Sequence, residues 1–296
     1  MAGHLYALLT VCLWGGAFTA IKRALREFDP VTLTWWRFAI GGIPFWILAW
    51  RRRSVLIQLS VRGRLELVAA SALIVPGYHL LLNFGQRHLP AAVTPMVLAT
   101  MPLWTMLAER LIWGERATMR QVSGSCVALA GLAFALRPWA PGVELDPEWR
   151  RGFALVTGAL VCWTAAALIS RRLLAGRPSG SISGPVFGLG CLMVLPLGLS
   201  RPAALVAARS AVAWLAVIYL ALIAFAVANY CYFVALQRLG PTRTAVYNNL
   251  IPAVGFVAAH SFLGEPIPLR WVVGVAVILA GITTVQRGGD RKRRAS

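Results

Sequence analysis

The chain has ten acidic residues in 296, and only Glu109 stands well inside an apolar run. The other nine, Glu27, Asp29, Glu66, Glu115, Glu144, Asp146, Glu148, Glu265 and Asp290, fall at or beyond the ends of such runs. A carboxyl held in apolar surroundings can take up and release a proton. Pairing with the adjacent Arg110, or snorkelling to an edge about a turn away, is the alternative and the more common case. A second group is His79, Asn83 and Gln86, spaced i, i+4 and i+7 and therefore on one helical face. Tyr78 adjoins them, and Pro76-Gly77 just before is a place where a helix can kink. Asn229, Tyr230 and Tyr232 lie deep in a later apolar run, and Tyr247, Asn248 and Asn249 stand one turn ahead of Pro252. Any one such Asn is satisfied by an interhelical hydrogen bond, typically ~0.6–2 kcal/mol. Taken together they predict a polar cavity. Trp14 and Trp163 sit in mid-run, where helix packing and an aromatic wall for apolar solutes are both open readings. Arg37, about two turns into its run, reads as an internal anchor for backbone carbonyls or an acid. Glu115 and Glu265 each follow a glycine and read as structural, at the N-terminus of the next helix where the dipole favours a carboxylate.

These groups do not compose an enzyme. A membrane-embedded hydrolase or transferase needs paired carboxylates, a metal cluster or an activated nucleophile. The sequence has no HExxH, no DDxxD-like run and no Walker motif. Cys12, Cys126, Cys162, Cys191 and Cys231 all lie in apolar runs without a CxxC pair, and read as small core residues. No catalytic residue, metal or cofactor is therefore expected. A channel would require an acidic ring or a filter-like segment, and neither is evident.

The elements that hold these residues are membrane helices. With 58% hydrophobic and only 13% charged residues, the chain has more apolar surface than soluble cores could bury, so lipid is its solvent. Ten apolar runs of about 20 residues can be drawn, near 4–22, 31–50, 65–86, 91–112, 117–137, 151–171, 183–200, 211–236, 242–263 and 270–287. The first lacks a preceding cationic region and a cleavage site and is expected to be retained. The stretch Met101–Leu136 recurs in outline at Ile251–Gln286, with an offset of 150: Pro102 with Pro252, Gly114-Glu115 with Gly264-Glu265, Gly124 with Gly274, and Ala130-Gly131 with Ala280-Gly281. Val11-Cys12 likewise matches Val161-Cys162. The repeat divides the chain into a five-helix unit over 1–140, a loop at 141–150 and a second five-helix unit over 151–296 ending in a basic tail. Glycines at i, i+7, Gly124 with Gly131 and Gly274 with Gly281, suit close helix packing.

The net charge of +19 comes from Lys and Arg in short clusters between the runs, so it speaks for orientation in a bilayer and against nucleic acid. With both termini cytoplasmic, eighteen Lys and Arg fall on the inner side and ten on the outer, leaving Arg37 inside a span. Five spans per copy then invert the second copy relative to the first.

The segments LWGGAF at Trp14, DPVTLTWWRFAIGG around Arg37, LQRLGPTRTA from Leu236, and the doubled order of Pro, Gly-Glu and Ala-Gly carry a resemblance. Over essentially its whole length the chain resembles EamA-type members of the drug/metabolite transporter superfamily. That resemblance implies an all-α integral membrane protein of ten helices, as two inverted five-helix repeats around a central cavity. It implies secondary transport by alternating access, most often export of amino acids or other small metabolites from a bacterial-type inner membrane. The aromatic amino-acid exporters are one branch; drugs and sugars are substrates of others. On this reading Trp14, Tyr78, His79, Asn83, Met101, Trp163, Asn229, Tyr230 and Asn248 bind substrate, and Glu109 or His79 couples protons. The expected partners are a small-molecule substrate and the lipid bilayer, not nucleic acid, with the oligomeric state open and a monomer among the alternatives.

Overall fold

The computed structural model describes residues 2–51, 53, 57–114, 118–136, 147–173, 180–239, 244 and 247–295, and every regular element among them is helical. In chain order these are α1 (Ala2–Ala24), α2 (Pro30–Gly41), α3 (Ile43–Arg51), α4 (Val61–His88), α5 (Val93–Leu98), α6 (Met101–Trp113), α7 (Met119–Leu136), α8 (Pro147–Leu173), α9 (Gly180–Leu199), α10 (Pro202–Val206), α11 (Ala211–Leu239), α12 (Ile251–Leu263) and α13 (Leu269–Ala295). Seven of these are long and apolar enough to cross a membrane, or eight when α2 and α3, bent by 51°, are counted as one span. The runs read as continuous spans over 91–112 and 242–263 are interrupted. One breaks at Ala99-Thr100 between α5 and α6, the other at Asn249-Leu250 before α12. Pro102 and Pro252 in the first turn of each following helix explain the breaks. Neither can donate an N–H to the carbonyl four residues back, while each suits the start of a helix. The breaks are 150 residues apart, so both copies carry the same interruption.

The chain folds into two compact units, and each draws on both copies. The first consists of Met1–Thr19, His88–Ala154 and Val227–Ser296. Its main contact is α7 against α13. A Cβ at Gly124 would stand 2.6 Å from the carbonyl oxygen of Gly281, and one at Gly131 would stand 2.9 Å from that of Gly274. As numbers rise along α7 they fall along α13, so the helices run antiparallel with backbone against backbone. Gly114 and Gly264 end α6 and α12 in the left-handed conformation, at φ 67° and 66°, where a side chain would be strained. Glu265 is structural, but it serves a different helix end from the expected one. Its carboxylate accepts from the backbone N–H of Ala91 (2.9 Å) and of Ala92 (3.2 Å), just ahead of α5. Glu115, the inter-repeat residues 141–146 and the side chains of the basic tail lie outside the described residues.

The second unit consists of Ala20–Arg87 and Leu155–Ala226. Asp29 starts α2 by accepting from the N–H of Val31 (3.0 Å) and of Thr32 (3.2 Å), with Pro30 at the first position. Phe38, Phe45, Phe187 and Phe225 interlock edge and face at the core, with ring centroids 4.7–5.6 Å apart. The indoles of Trp35 and Trp46 donate to the carbonyls of Leu195 (2.9 Å) and Gly188 (3.1 Å) on α9, holding the bent α2–α3 pair to it. Lys22 closes the far end of α4 by donating to the carbonyls of Gln86 and Arg87, both at 3.1 Å, where a cation suits the helix dipole.

Candidate functional site

Helix α4 changes its ladder over Leu73–Gly77. Pro76 has no N–H to donate, and the N–H of Tyr78 reaches back five residues to the carbonyl of Leu73. The extra residue in this π turn re-aims everything that follows it. Gly77 lets α8 come close, with Cys162 Sγ 3.4 Å from where a Cβ would be. Beyond the turn, the predicted stripe is buried as one face: His79 is 5% exposed, and Asn83 and Gln86 are fully enclosed.

This face meets α2 in two rungs. On the first, Thr34 donates its hydroxyl to the carbonyl of Pro30 at 2.6 Å and accepts from Asn83 Nδ2 at 2.8 Å. On the second, Arg37 reaches Nδ1 of His79 at 3.5 Å. His79 is wedged between rings, 4.6 Å from Phe38 and 4.7 Å from Tyr78. Tyr78 in turn packs on Trp163 of α8, with centroids 5.0 Å apart. Four of the predicted substrate residues, Tyr78, His79, Asn83 and Trp163, thus form one cluster in the second unit. Thr34 and Phe38 complete it and were not foreseen; the only signal was their place on the DPVTLTWWRFAIGG segment, one turn before and one residue after Arg37. Arg37 departs from the expected role. Among the described residues neither a backbone carbonyl nor a carboxylate accepts from it, although the residue is only 5% exposed.

The remaining candidates are in the first unit, more widely spread. Trp14 is half-buried against Tyr232, 5.2 Å between centroids. The neighbouring Gly15 admits α12, with Val254 Cγ1 2.6 Å from where a Cβ would stand. Met101 opens α6 just after one helix break, and Asn248 stands just before the other; both are half-buried. Asn249, which sequence grouped with Asn248, donates to Gln286 at 3.3 Å. Tyr247 shares a 2.7 Å hydrogen bond with His4. Asn229 is buried, whereas Tyr230 is 64% exposed and edges Tyr6 at 6.5 Å. Glu109 is half-buried on α6. His260 is exposed and bonds the backbone carbonyl of Glu265 at 3.1 Å, a helix-end contact.

A description of the EamA-like transporter family matches the chain twice, at residues 1–137 and 150–286, once for each copy. A probable terminal-alkyne amino-acid exporter of Streptantibioticus cattleyicolor is 28% identical, with 98% of this chain and 95% of that protein aligned. A probable amino-acid metabolite efflux pump of Salmonella typhimurium is 24% identical over 98% and 96%. An uncharacterized inner membrane transporter of Escherichia coli, YedA, is 23% identical over 96% and 90%. A solved crystal structure shares the fold with a TM-score of 0.64 at 23% identity, covering 95% of each chain. With both copies matched in full, the chain is a multi-pass membrane protein that belongs to the EamA-like transporter family.

Proposed function

We propose that this chain is a secondary transporter that exports amino acids of broad range, aromatic ones included, across a bacterial-type inner membrane by alternating access. The observation that carries this reading is the cluster on α4. Hydrogen-bonding groups of His79 and Asn83 lie beside an aromatic pair, Tyr78 and Trp163, within one unit. A zwitterion needs polar partners for its two ends and a tolerant wall for its side chain. Substrate contact is assigned to these four and, in the first unit, to Trp14, Met101, Asn229, Tyr230 and Asn248. The interruptions at matching places in the two copies support it, since paired broken helices mark substrate sites in repeat-built transporters. So do the names of two relatives, a probable terminal-alkyne amino-acid exporter and a probable amino-acid metabolite efflux pump.

The antiparallel crossing of α7 and α13, which correspond under the repeat, supports inverted copies. Ten crossings are supported by which ends touch. His88 with Glu148, Glu27 with Ser210, Asp29 with Arg201 and Ala91 with Glu265 each join segments that ten alternating spans put on one side. We assign that side to the exterior and both termini to the cytoplasm. A cysteine introduced at Gly142 then reacts with an impermeant reagent in intact cells; reaction only after permeabilisation reverses the orientation.

Purified protein in liposomes tests the function. Saturable flux of aromatic and aliphatic amino acids is expected. Trp163→Ala and Tyr78→Ala should each lower it about tenfold, the loss of an aromatic contact worth ~1–1.5 kcal/mol, at equal membrane abundance. Proton coupling is assigned to Glu109 or His79, so Glu109→Gln or His79→Gln should flatten the dependence of flux on a pH gradient. Unchanged flux in both aromatic variants removes this site. Strong sugar flux without any amino-acid flux removes the substrate, and wild-type gradient dependence in both neutral variants leaves facilitated diffusion.

A further inference from the structure

Arg37 and Asn83 each keep one buried polar atom without a partner, and the two atoms are of opposite kind. The Nε of Arg37 has no acceptor among the described residues. Among the described residues its guanidinium hydrogen-bonds to His79 Nδ1, at the long limit of such a bond, and stands 5.4 Å from the centre of the Phe38 ring. The acids nearest in sequence, Glu27 and Asp29, are engaged with Arg23 and Ser210, and with Thr32 and Arg201. A guanidinium does not discharge by losing its proton, and one buried without an anion is strongly destabilising.

Asn83 presents the complementary group. Because Thr34 gives its hydroxyl hydrogen to Pro30, its oxygen can only accept from Asn83, and this fixes the amide with Nδ2 toward Thr34. Asn83 Oδ1 is then an acceptor held in place, fully enclosed, with no donor among the described residues. Thr34 and Arg37 are three residues apart on α2, and Asn83 and His79 four apart on α4. The two rungs are therefore separated by about one helical turn, ~5 Å.

We infer that Arg37 and Asn83 form the receptor for the α-carboxylate and α-ammonium of the transported amino acid. The carboxylate takes two N–H donors of the Arg37 fork, the geometry in which Arg outperforms a point charge. The ammonium donates to Asn83 Oδ1, and the side chain is left to the Tyr78–Trp163 wall. Neither 149 nor 150 residues further on does Arg37 meet a second arginine (Val186, Phe187) or Asn83 a second amide (Tyr232, Phe233), so the receptor occurs once per chain. This assignment rests on the amino-acid reading above and supplies the charged partner that reading lacked.

Thermal stabilisation of the purified protein by four probes tests it: phenylalanine, phenylalaninamide, 3-phenylpropionate and phenylalanine methyl ester. Wild-type protein should be stabilised by phenylalanine at concentrations at least about tenfold lower than by the amide or the ester, which lack the carboxylate, or by 3-phenylpropionate, which lacks the ammonium. Arg37→Gln should shrink the preference for phenylalanine over its amide to under about threefold while keeping that over 3-phenylpropionate. Asn83→Leu should do the reverse. If Arg37→Gln does not fold, Arg37→Lys decides: it keeps the charge without the fork, and the preference for the carboxylate should fall at least about threefold. An undiminished carboxylate preference in the folded variants overturns the assignment. So does a wild type that binds phenylalanine and its amide alike, although the amino-acid reading then survives. Stabilisation by 3-phenylpropionate but not phenylalanine, lost in Arg37→Gln, would instead sink the amino-acid reading and leave an anion site at Arg37. Stabilisation by none of the four sinks both.

Discussion

Where α7 crosses α13, glycines bring backbone against backbone; where α2 meets α4, side chains do the joining. The first contact maps onto itself under the repeat, since Gly124 on Gly281 becomes Gly274 on Gly131. It is made of backbone and small side chains. The second has no such image, because neither 149 nor 150 residues after Arg37 and Asn83 does a second arginine or amide occur. In lipid there is no hydrophobic drive between helices, so small residues and polar bonds are the two means of association. This chain uses the one that tolerates no side chain for the part that is doubled, and the one that carries hydrogen bonds for the part that is not. The difference teaches that the glycine contact follows the repeat while the polar rungs between α2 and α4 do not.

Three measurements sharpen or break this contrast. The largest effect is expected at the glycine contact. A Cβ at Gly281 would stand 2.5 Å from both the N of Ala128 and the carbonyl oxygen of Gly124. Backbone cannot swing aside as a flexible side chain can. Gly281→Leu should cost more than the ~1–3 kcal/mol usual for overpacking and should sharply reduce monodisperse protein in gel filtration. Wild-type yield and melting temperature would mean that the two helices do not approach so closely. A smaller effect belongs to the polar rung. Thr34→Val and Asn83→Leu, alone and combined, should show a coupling of ~0.6–1.7 kcal/mol in unfolding, the range measured for such bonds in membranes. Additive losses would mean that the bond from Asn83 to Thr34 contributes nothing.

The smallest effect lies at the end of the second unit, outside the spans. Glu27 accepts from the Ser210 hydroxyl (2.6 Å) and N–H (2.7 Å) at the start of α11, and also from Arg23. The Ser210 bonds, ahead of the contribution of Arg23, bring its carboxyl down to about 2 from 4.5. For Asp29, burial works upward, but the bonds from Thr32 and Val31 and the charge of Arg201 outweigh it, and its carboxyl is also lowered. A lowered folded-state value means stabilisation that is whole above the unfolded value and lost as pH falls toward the folded one. The wild type should therefore lose melting temperature as the medium is acidified from about 4.5 toward 2. Glu27→Gln should start lower and lose less over that window. Glu27 sits outside the spans with solvent access to its carboxylate, and screening keeps this effect small. Parallel curves for the two proteins would show that the Ser210 contact is not formed.

Much of the frame was legible because it is written in patterns that need no partner. Apolar runs report burial in lipid directly, and the 150-residue offset is a property of residue order. His79, Asn83 and Gln86 share a face because helical periodicity alone puts them there. Pro76-Gly77 announced a distortion in α4, and the π turn at Leu73–Gly77 is what it became. The matching turn in α11, Tyr219–Val227, contains neither Pro nor Gly and gave no signal. The interruptions at Ala99-Thr100 and Asn249-Leu250 also escaped, because Thr100 and the Asn248-Asn249 pair are too short a polar insertion to break an apolar run of about 20 residues.

What the sequence by itself determined is therefore the solvent, the duplication and the helical faces, each of which follows from composition, order or a fixed helical period. Only the tertiary structure decided which residues meet. It joined segments of both copies in each compact unit and brought Thr34 to Asn83 across 49 residues. It also left Arg37 beside His79 with no carboxylate paired to it among the described residues. Those outcomes depend on which helices abut and at what rotation, and that is set by the packing of Gly77, Phe38, Trp163 and their neighbours in three dimensions, which no local pattern encodes.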